Sequence, residues 1–169
     1  MMPREKWFER SFDFTLPTSR FPSLLERLSG TPARLDERTR SLPADVLTRP
    51  ADGRWTVQEN VGHMLDLEPL WLRRAEQFFA GESALVATDL ANRRTHEANH
   101  NGRRLDDLLA DFRAARSGFV LLLRTADDSI LARTAIHPRL GTPMRLIDLA
   151  LFVADHDDHH LAAITDLSG

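Results

Sequence analysis

The sequence predicts an all-α protein folded as a four-helix bundle, on three observations. Four stretches carry apolar residues at helical spacing, the segments between them are polar or hold Pro and Gly, and no stretch alternates for long enough to build a sheet. With 169 residues, 42% of them hydrophobic and 28% charged, the chain has the size and composition of one globular domain over residues 1–169, without repeats or low-complexity segments.

Residues 1–18 hold two aromatic clusters, Trp7-Phe8 and Phe12 to Phe14, with no regular period, and read as an N-terminal arm packed on the bundle. The first helix follows from Phe21, Leu24, Leu25, Leu28 and Leu35. Gly30-Thr31-Pro32 interrupts it, which predicts either a kink or a division with Thr31 capping a restart at Pro32, and the breaker Leu42-Pro43 ends it. After a linker with two prolines and a glycine, Thr56 and Glu59 have the spacing of a capping box, and the second helix starts at Val57. Val61, Leu65, Leu72 and Phe79 make one stripe of it and His63, Leu67, Leu70 and Trp71 an adjacent one, so His63 lies on an apolar face. Pro69 should bend this helix or free a carbonyl, and Gly81 closes it.

Residues 82–104 form a long polar connection. His96 and His100 within it are four apart and make a rival metal pair, but with Ala98 as the one apolar residue around them they read as a loop or short helix at the mouth of a site. Leu105, Leu108, Leu109, Phe112, Phe119, Leu122 and Leu123 give the third helix, Leu105 to Arg124, whose acidic start and Arg-bearing end suit the helix dipole. A second polar connection follows, in which Thr134 to Ile136 reads as extended and His137 as a loop histidine. Thr142 as N-cap and Pro143 as first helical residue are expected to open the last helix.

In that last helix Leu146, Leu149, Val153, Ile164 and Leu167 form a stripe that, continued across its gap, lands on His156 and His160. Residues four apart on a helix share a face, so these two imidazoles can reach a single ion. The competing reading is a pair of rings satisfied by the neighbouring Asp residues; a third ligand decides between them, and His63 is the candidate. Leu67, Trp71 and Val153 are expected to wall the pocket. His159, on the flank of the same arc, is the foremost candidate base, whereas Asp66, Glu68, Asp155, Asp157 and Asp158 read as partners of ligands or solvated charges.

A net charge of -3 gives no general attraction to nucleic acid or anionic membrane. The absence of cysteine excludes disulfides, thiolate metal sites and a cysteine nucleophile, so a catalytic thiol would have to come from outside the chain. A charged N-terminus and no run of membrane-spanning length predict a soluble cytoplasmic protein acting on a small molecule. The 21 Arg to one Lys carry no functional weight in this reading.

The segments GRWTVQENVGHMLDLEPLW and ADHDDHHLAAI, about ninety residues apart, resemble the DinB/YfiT-like superfamily over nearly the whole chain. The Trp-[Ser/Thr]-Val start of its second helix falls on Trp55-Thr56-Val57, its helix-two histidine on His63, and its His-x-x-His-His run on His156, His159 and His160. The resemblance implies a four-helix bundle with a crossover connection, often dimeric, and a divalent metal held by His63, His156 and His160. Three imidazoles leave a coordination position open, as in working rather than structural sites. Zinc is the default for nitrogen ligands, with nickel, iron and manganese as the other candidates. Family members include thiol S-transferases and isomerases that use bacillithiol or mycothiol, and metal-dependent hydrolases. Transfer is therefore ranked first for this chain, with hydrolysis and a non-catalytic binding or interaction module as the alternatives.

Overall fold

The computed structural model describes residues 4–50 and 52–169. Helix α1 (Phe21–Thr39) buries Phe21, Leu24, Leu28 and Leu35 and runs unbroken through Pro32. The division considered from the sequence does not occur. Pro32 has no N–H to give the carbonyl of Leu28, one turn back, and that carbonyl accepts instead from Arg116 Nη1 at 3.3 Å. Thr31 is no cap: its hydroxyl bonds the Arg27 carbonyl at 3.1 Å and Asp157 at 2.8 Å. The short helix α2 (Ala44–Leu47) sits within the linker that follows.

Helix α3 (Val57–Ala80) opens on the predicted capping box, with Thr56 Oγ1 accepting from Glu59 N at 3.0 Å and Glu59 Oε2 accepting from Thr56 N at 2.8 Å. Gly81 ends it at φ 73°, a left-handed conformation that costs a glycine little. The short α4 (Arg93–Glu97) lies in the next connection, and α5 (Leu105–Leu123) follows as expected. After α6 (Asp128–Leu131), β1 (Thr134–Ile136) pairs antiparallel with β2 (Pro143–Arg145), and α7 (Leu146–Ser168) ends the chain. Thr142 and Pro143 therefore do not start the last helix. Met144 is fully buried opposite Ala135 in the ladder, and Asp148 accepts the Arg145 N–H at 2.9 Å, so the cap lies three residues later than the sequence suggests.

Side-chain bonds give the helix directions. Arg27 reaches Asp155, Arg34 reaches Asp158 and Arg38 reaches Thr165, so α1 and α7 run parallel. Asn60 meets His160 whereas Trp71 meets Phe152, so α3 and α7 are antiparallel. Gln58 bonds the Arg103 carbonyl and Glu68 bonds Arg116, so α3 and α5 are parallel. Each of α1 and α3 packs on both α5 and α7, which places consecutive helices α1 and α3 on one diagonal of the bundle and α5 and α7 on the other. Parallel neighbours need a connection that returns the length of a helix, and residues 82–104 supply it by running back along α3, from Gln77 bonded to Ala84 to Gln58 bonded to His100.

The apolar core has two parts. One gathers Leu28, Trp71, Phe78, Phe119 and Phe152, the other Leu35, Met64, Phe112, Leu161 and Ile164. On every long helix a buried polar residue lies between these sets: Thr31, Glu68, Arg116 and Asp157. The arm packs on the first part through Trp7, Phe12, Phe14 and Leu16. Among the described residues no helix is long and apolar enough to cross a membrane.

Candidate metal centre

The polar layer also contains the three histidines. His63 from α3 and His156 and His160 from α7 are buried, and their ligand atoms lie within 4.8 Å of one another. His156 and His160, one turn apart, bring their Nε2 atoms to 3.2 Å. Two nitrogens on a tetrahedral ion with bonds of about 2.05 Å would stand about 3.3 Å apart, so the pair fits a shared ion without rearrangement.

The outer ring nitrogens fix which atoms face inward. Asn60 turns its NH2 to the carbonyl of Thr56 at 2.8 Å, leaving Oδ1 to accept from His160 Nδ1 at 2.8 Å. Thr95 donates its hydroxyl proton to Asp66 at 2.9 Å, so its oxygen accepts from His63 Nδ1 at 3.0 Å. Both rings thus carry their proton on Nδ1 and present the Nε2 lone pair, the tautomer a metal requires. Among the described residues His156 Nδ1, which is buried, has no partner. Burial, ahead of neighbouring charges, pushes the pKa of His63 down to about 4 and those of His156 and His160 well below the ordinary value, keeping all three neutral at pH 7.

His96 and His100 do not act as a pair. His96 is exposed, whereas His100 is buried with Nε2 2.8 Å from Asp66, the same carboxylate that orients Thr95. Gly62 makes the room, because a Cβ there would fall 2.2 Å from the His100 ring. His137 is not a free loop histidine. It is buried beside β1, with Nε2 3.1 Å from Arg74 and Nδ1 facing the backbone N–H groups of Arg139 and Leu140.

A cavity of about 300 Å³ opens beside the triad. Leu67 and Trp71 line it, and so does His159. Val153 does not: it is wholly buried in the core, and Phe152 takes the wall instead. The reason is helical phase. Phe152, His156 and His160 share one i, i+4 row, and Val153 points about 100° away from Phe152. The arm contributes Trp7, whose ring centroid lies 5.0 Å from that of His156, and Trp55 covers His63 at 4.3 Å. Neither was singled out for the site by periodicity, since both lie outside the long helices. His159 has a pKa lowered to about 4 by burial and by Arg4 and Arg10, and its buried Nδ1 has no partner among the described residues. The nearby acids are engaged elsewhere: Asp66 with Thr95 and His100, Glu68 and Asp157 with Arg116, and Asp155 and Asp158 with Arg27.

One pH dependence follows for the metal-free protein. His63, His137 and His159 have pKa values lowered to about 4 from an ordinary 6.5. Above pH 6.5 they are neutral folded or unfolded. Below it the unfolded chain takes up protons that the native state refuses, so stability is expected to fall progressively as pH drops from 6.5 through 4. Urea unfolding should give a lower midpoint at pH 5 than at pH 7, and an unchanged midpoint would contradict the burial of neutral imidazoles.

Comparison with known proteins adds three findings. The profile of the DinB superfamily matches residues 27–164. YfiT from Bacillus subtilis, described as a probable metal-dependent hydrolase with an unusual four-helix bundle topology, superposes with a TM-score of 0.82 at 25% identity, covering 94% of this chain and 91% of YfiT. A mycothiol-dependent maleylpyruvate isomerase shares the fold, with a TM-score of 0.68 at 11% identity, over 87% of this chain and 60% of the isomerase. No curated protein matches the chain in sequence.

Proposed function

This chain belongs to the DinB superfamily, and from that premise we propose that it is a metal-dependent enzyme of the thiol S-transferase type, with His63, His156 and His160 holding one divalent ion. The observation that carries the reading is the meeting of three buried, neutral imidazoles in the wall of a recessed cavity that also presents Arg4, Lys6, Arg74 and Arg139. A recessed basic pocket suits an anionic thiol co-substrate such as bacillithiol, with the uncharged mycothiol as the alternative, and the cysteine-free chain requires the thiol to be external. Zinc suits three nitrogen ligands, with nickel, iron and manganese as alternatives. When bound, the ion supplies Lewis acidity and lowers the pKa of a coordinated thiol or water.

The chain's own residues do the rest. Asn60 and Thr95 hold the His160 and His63 rings with Nε2 inward. Trp7, Trp55 and Trp71 exclude water from the imidazoles. His159 is a poor proton acceptor at neutral pH, because its pKa is about 4 and, among the described residues, no carboxylate orients its Nδ1. Thiol transfer needs little base chemistry from the protein, so this weakness favours it over hydrolysis. Hydrolysis with His159 as base is the second reading, supported by an imidazole in the cavity wall and by the description of YfiT.

A conjugation assay with a generic electrophile separates them, with bacillithiol, mycothiol, glutathione or no thiol, in metal-loaded protein and in His156→Ala. Product is expected only with both thiol and metal. Metal-dependent cleavage of esters or amides without thiol would overturn the ranking, and silence in every arm would favour a binding module.

A further inference from the structure

We propose that Arg74 and Arg139 form a carboxylate-binding subsite in the same cavity, one that takes the acid group of an apolar-bodied substrate whose other end reaches the histidines. The identity of that other end rests on the function proposed above; the subsite itself does not.

Arg74 is 1% exposed. Its Nε and Nη2 donate to the Val86 carbonyl at 3.1 and 3.0 Å, and Nη1 lies 3.1 Å from His137 Nε2. Arg139 lies against aromatic rings, with Cζ 5.4 Å from the centroid of Phe8 and 5.9 Å from that of Phe152, and its Nη2 is buried without a hydrogen-bond partner among the described residues. Among the described residues, no carboxylate lies within ion-pair distance of either guanidinium. The two acids on the cavity wall are taken: Asp89 accepts from the N–H groups of Ala91 and Arg93 and from the Arg93 side chain, and Glu5 pairs with Arg10.

A buried cation beside a half-buried one, with no counter-charge among the described residues, is costly, and the cost falls when an anion joins them. Burial and then Arg139 lower the pKa of Arg74 to about 10. His137 cannot balance the charge, since burial, Arg74 and Arg139 keep it neutral with a pKa near 4. The Nε–Nη2 edge of Arg74 is taken by the Val86 carbonyl, so the guanidinium fork that a planar carboxylate matches is that of Arg139, with Arg74 adding its charge beside it.

The walls beside the arginines indicate what carries that carboxylate. Arg74 Cζ lies 5.6 Å from the Trp71 ring centroid, which is itself 5.6 Å from the ring of His156. Phe152 likewise touches the Trp7 ring at 5.0 Å and the His137 ring at 5.2 Å. Aromatic surface thus bridges the cation pair and the triad, and an acid with an apolar body spans them.

The test measures binding of 3-phenylpropanoate and of the isosteric 3-phenylpropanamide to the full chain after chelator treatment, so that no metal offers the carboxylate another site. The acid is expected to bind at least about tenfold more tightly than the amide. Arg139→Gln should bring the acid down to the amide's affinity and leave the amide unchanged, which also shows the cavity intact. If Arg139→Gln loses the amide as well, Arg139→Lys is decisive, and it must weaken the acid while sparing the amide. Equal affinity of acid and amide for the wild type, binding of neither, or a preference that survives these variants overturns the subsite. Glutathione bound as tightly as the aryl acid, in a manner dependent on Arg139, overturns its assignment to an apolar-bodied substrate. Metal uptake is measured separately, so the failure of either reading leaves the other standing.

Discussion

Replacing Arg116 by Met is expected to destabilise the protein by roughly 3–5 kcal/mol and to lower Tm by on the order of 10 °C. Arg116 is 1% exposed and sits at the centre of the polar layer that separates the two apolar clusters. Its Nε and Nη2 bond Glu68 at 3.1 and 2.6 Å, Nη2 also bonds Asp157 at 3.0 Å, and Nη1 bonds Asp157 and the carbonyl that Pro32 leaves free. Burial alone would lower its pKa, but Asp157 and Glu68 together raise it. Met has comparable volume and fills the space. The loss therefore comes from leaving Glu68 and Asp157 buried without a counter-charge, and it exceeds that of any surface pair on the molecule. Denaturant unfolding measures it, and a loss under about 1 kcal/mol would show that the network is not held out of water.

The second large effect concerns the histidines. His156→Ala is expected to abolish the rise in thermal stability that zinc gives the wild type, which at about a thousandfold excess over Kd amounts to roughly 4 kcal/mol. Thr95→Val keeps all three imidazoles and removes the hydroxyl that accepts from His63 and donates to Asp66, so a smaller loss, about 10- to 100-fold in metal affinity, is expected. Equal losses in the two variants would mean that His156 is not a ligand. Thermal unfolding with increasing zinc gives both numbers.

The convergence of His63, His156 and His160 was legible because each lies on an apolar stripe of a long helix, where period fixes direction. The fold was legible for the same reason, down to the capping box at Thr56 and Glu59. What escaped the sequence depends on contacts between distant segments. Thr95 and His100 orient the site from a connection with no period, and only the return of residues 82–104 along α3 brings them to Asp66. Gly62 reads as an indifferent helix residue until His100 is seen against it. Val153 was assigned to the pocket from its place in the stripe, but the cavity follows the row through Phe152, one residue round the helix. Pro143 looked like a helix start because local capping rules cannot see the pairing of β2 with β1. Arg74 and Arg139 were indistinguishable among 21 arginines, since an uncompensated cation is defined by acids that are absent from its surroundings.

The most direct test of the central claim is calorimetric titration of chelator-treated protein with zinc. The arrangement of the triad predicts one ion per chain for the wild type and none at the same concentrations for His63→Ala, His156→Ala or His160→Ala, while His96→Ala binds as the wild type does. No uptake by the wild type, or an equal loss in His96→Ala, would contradict it.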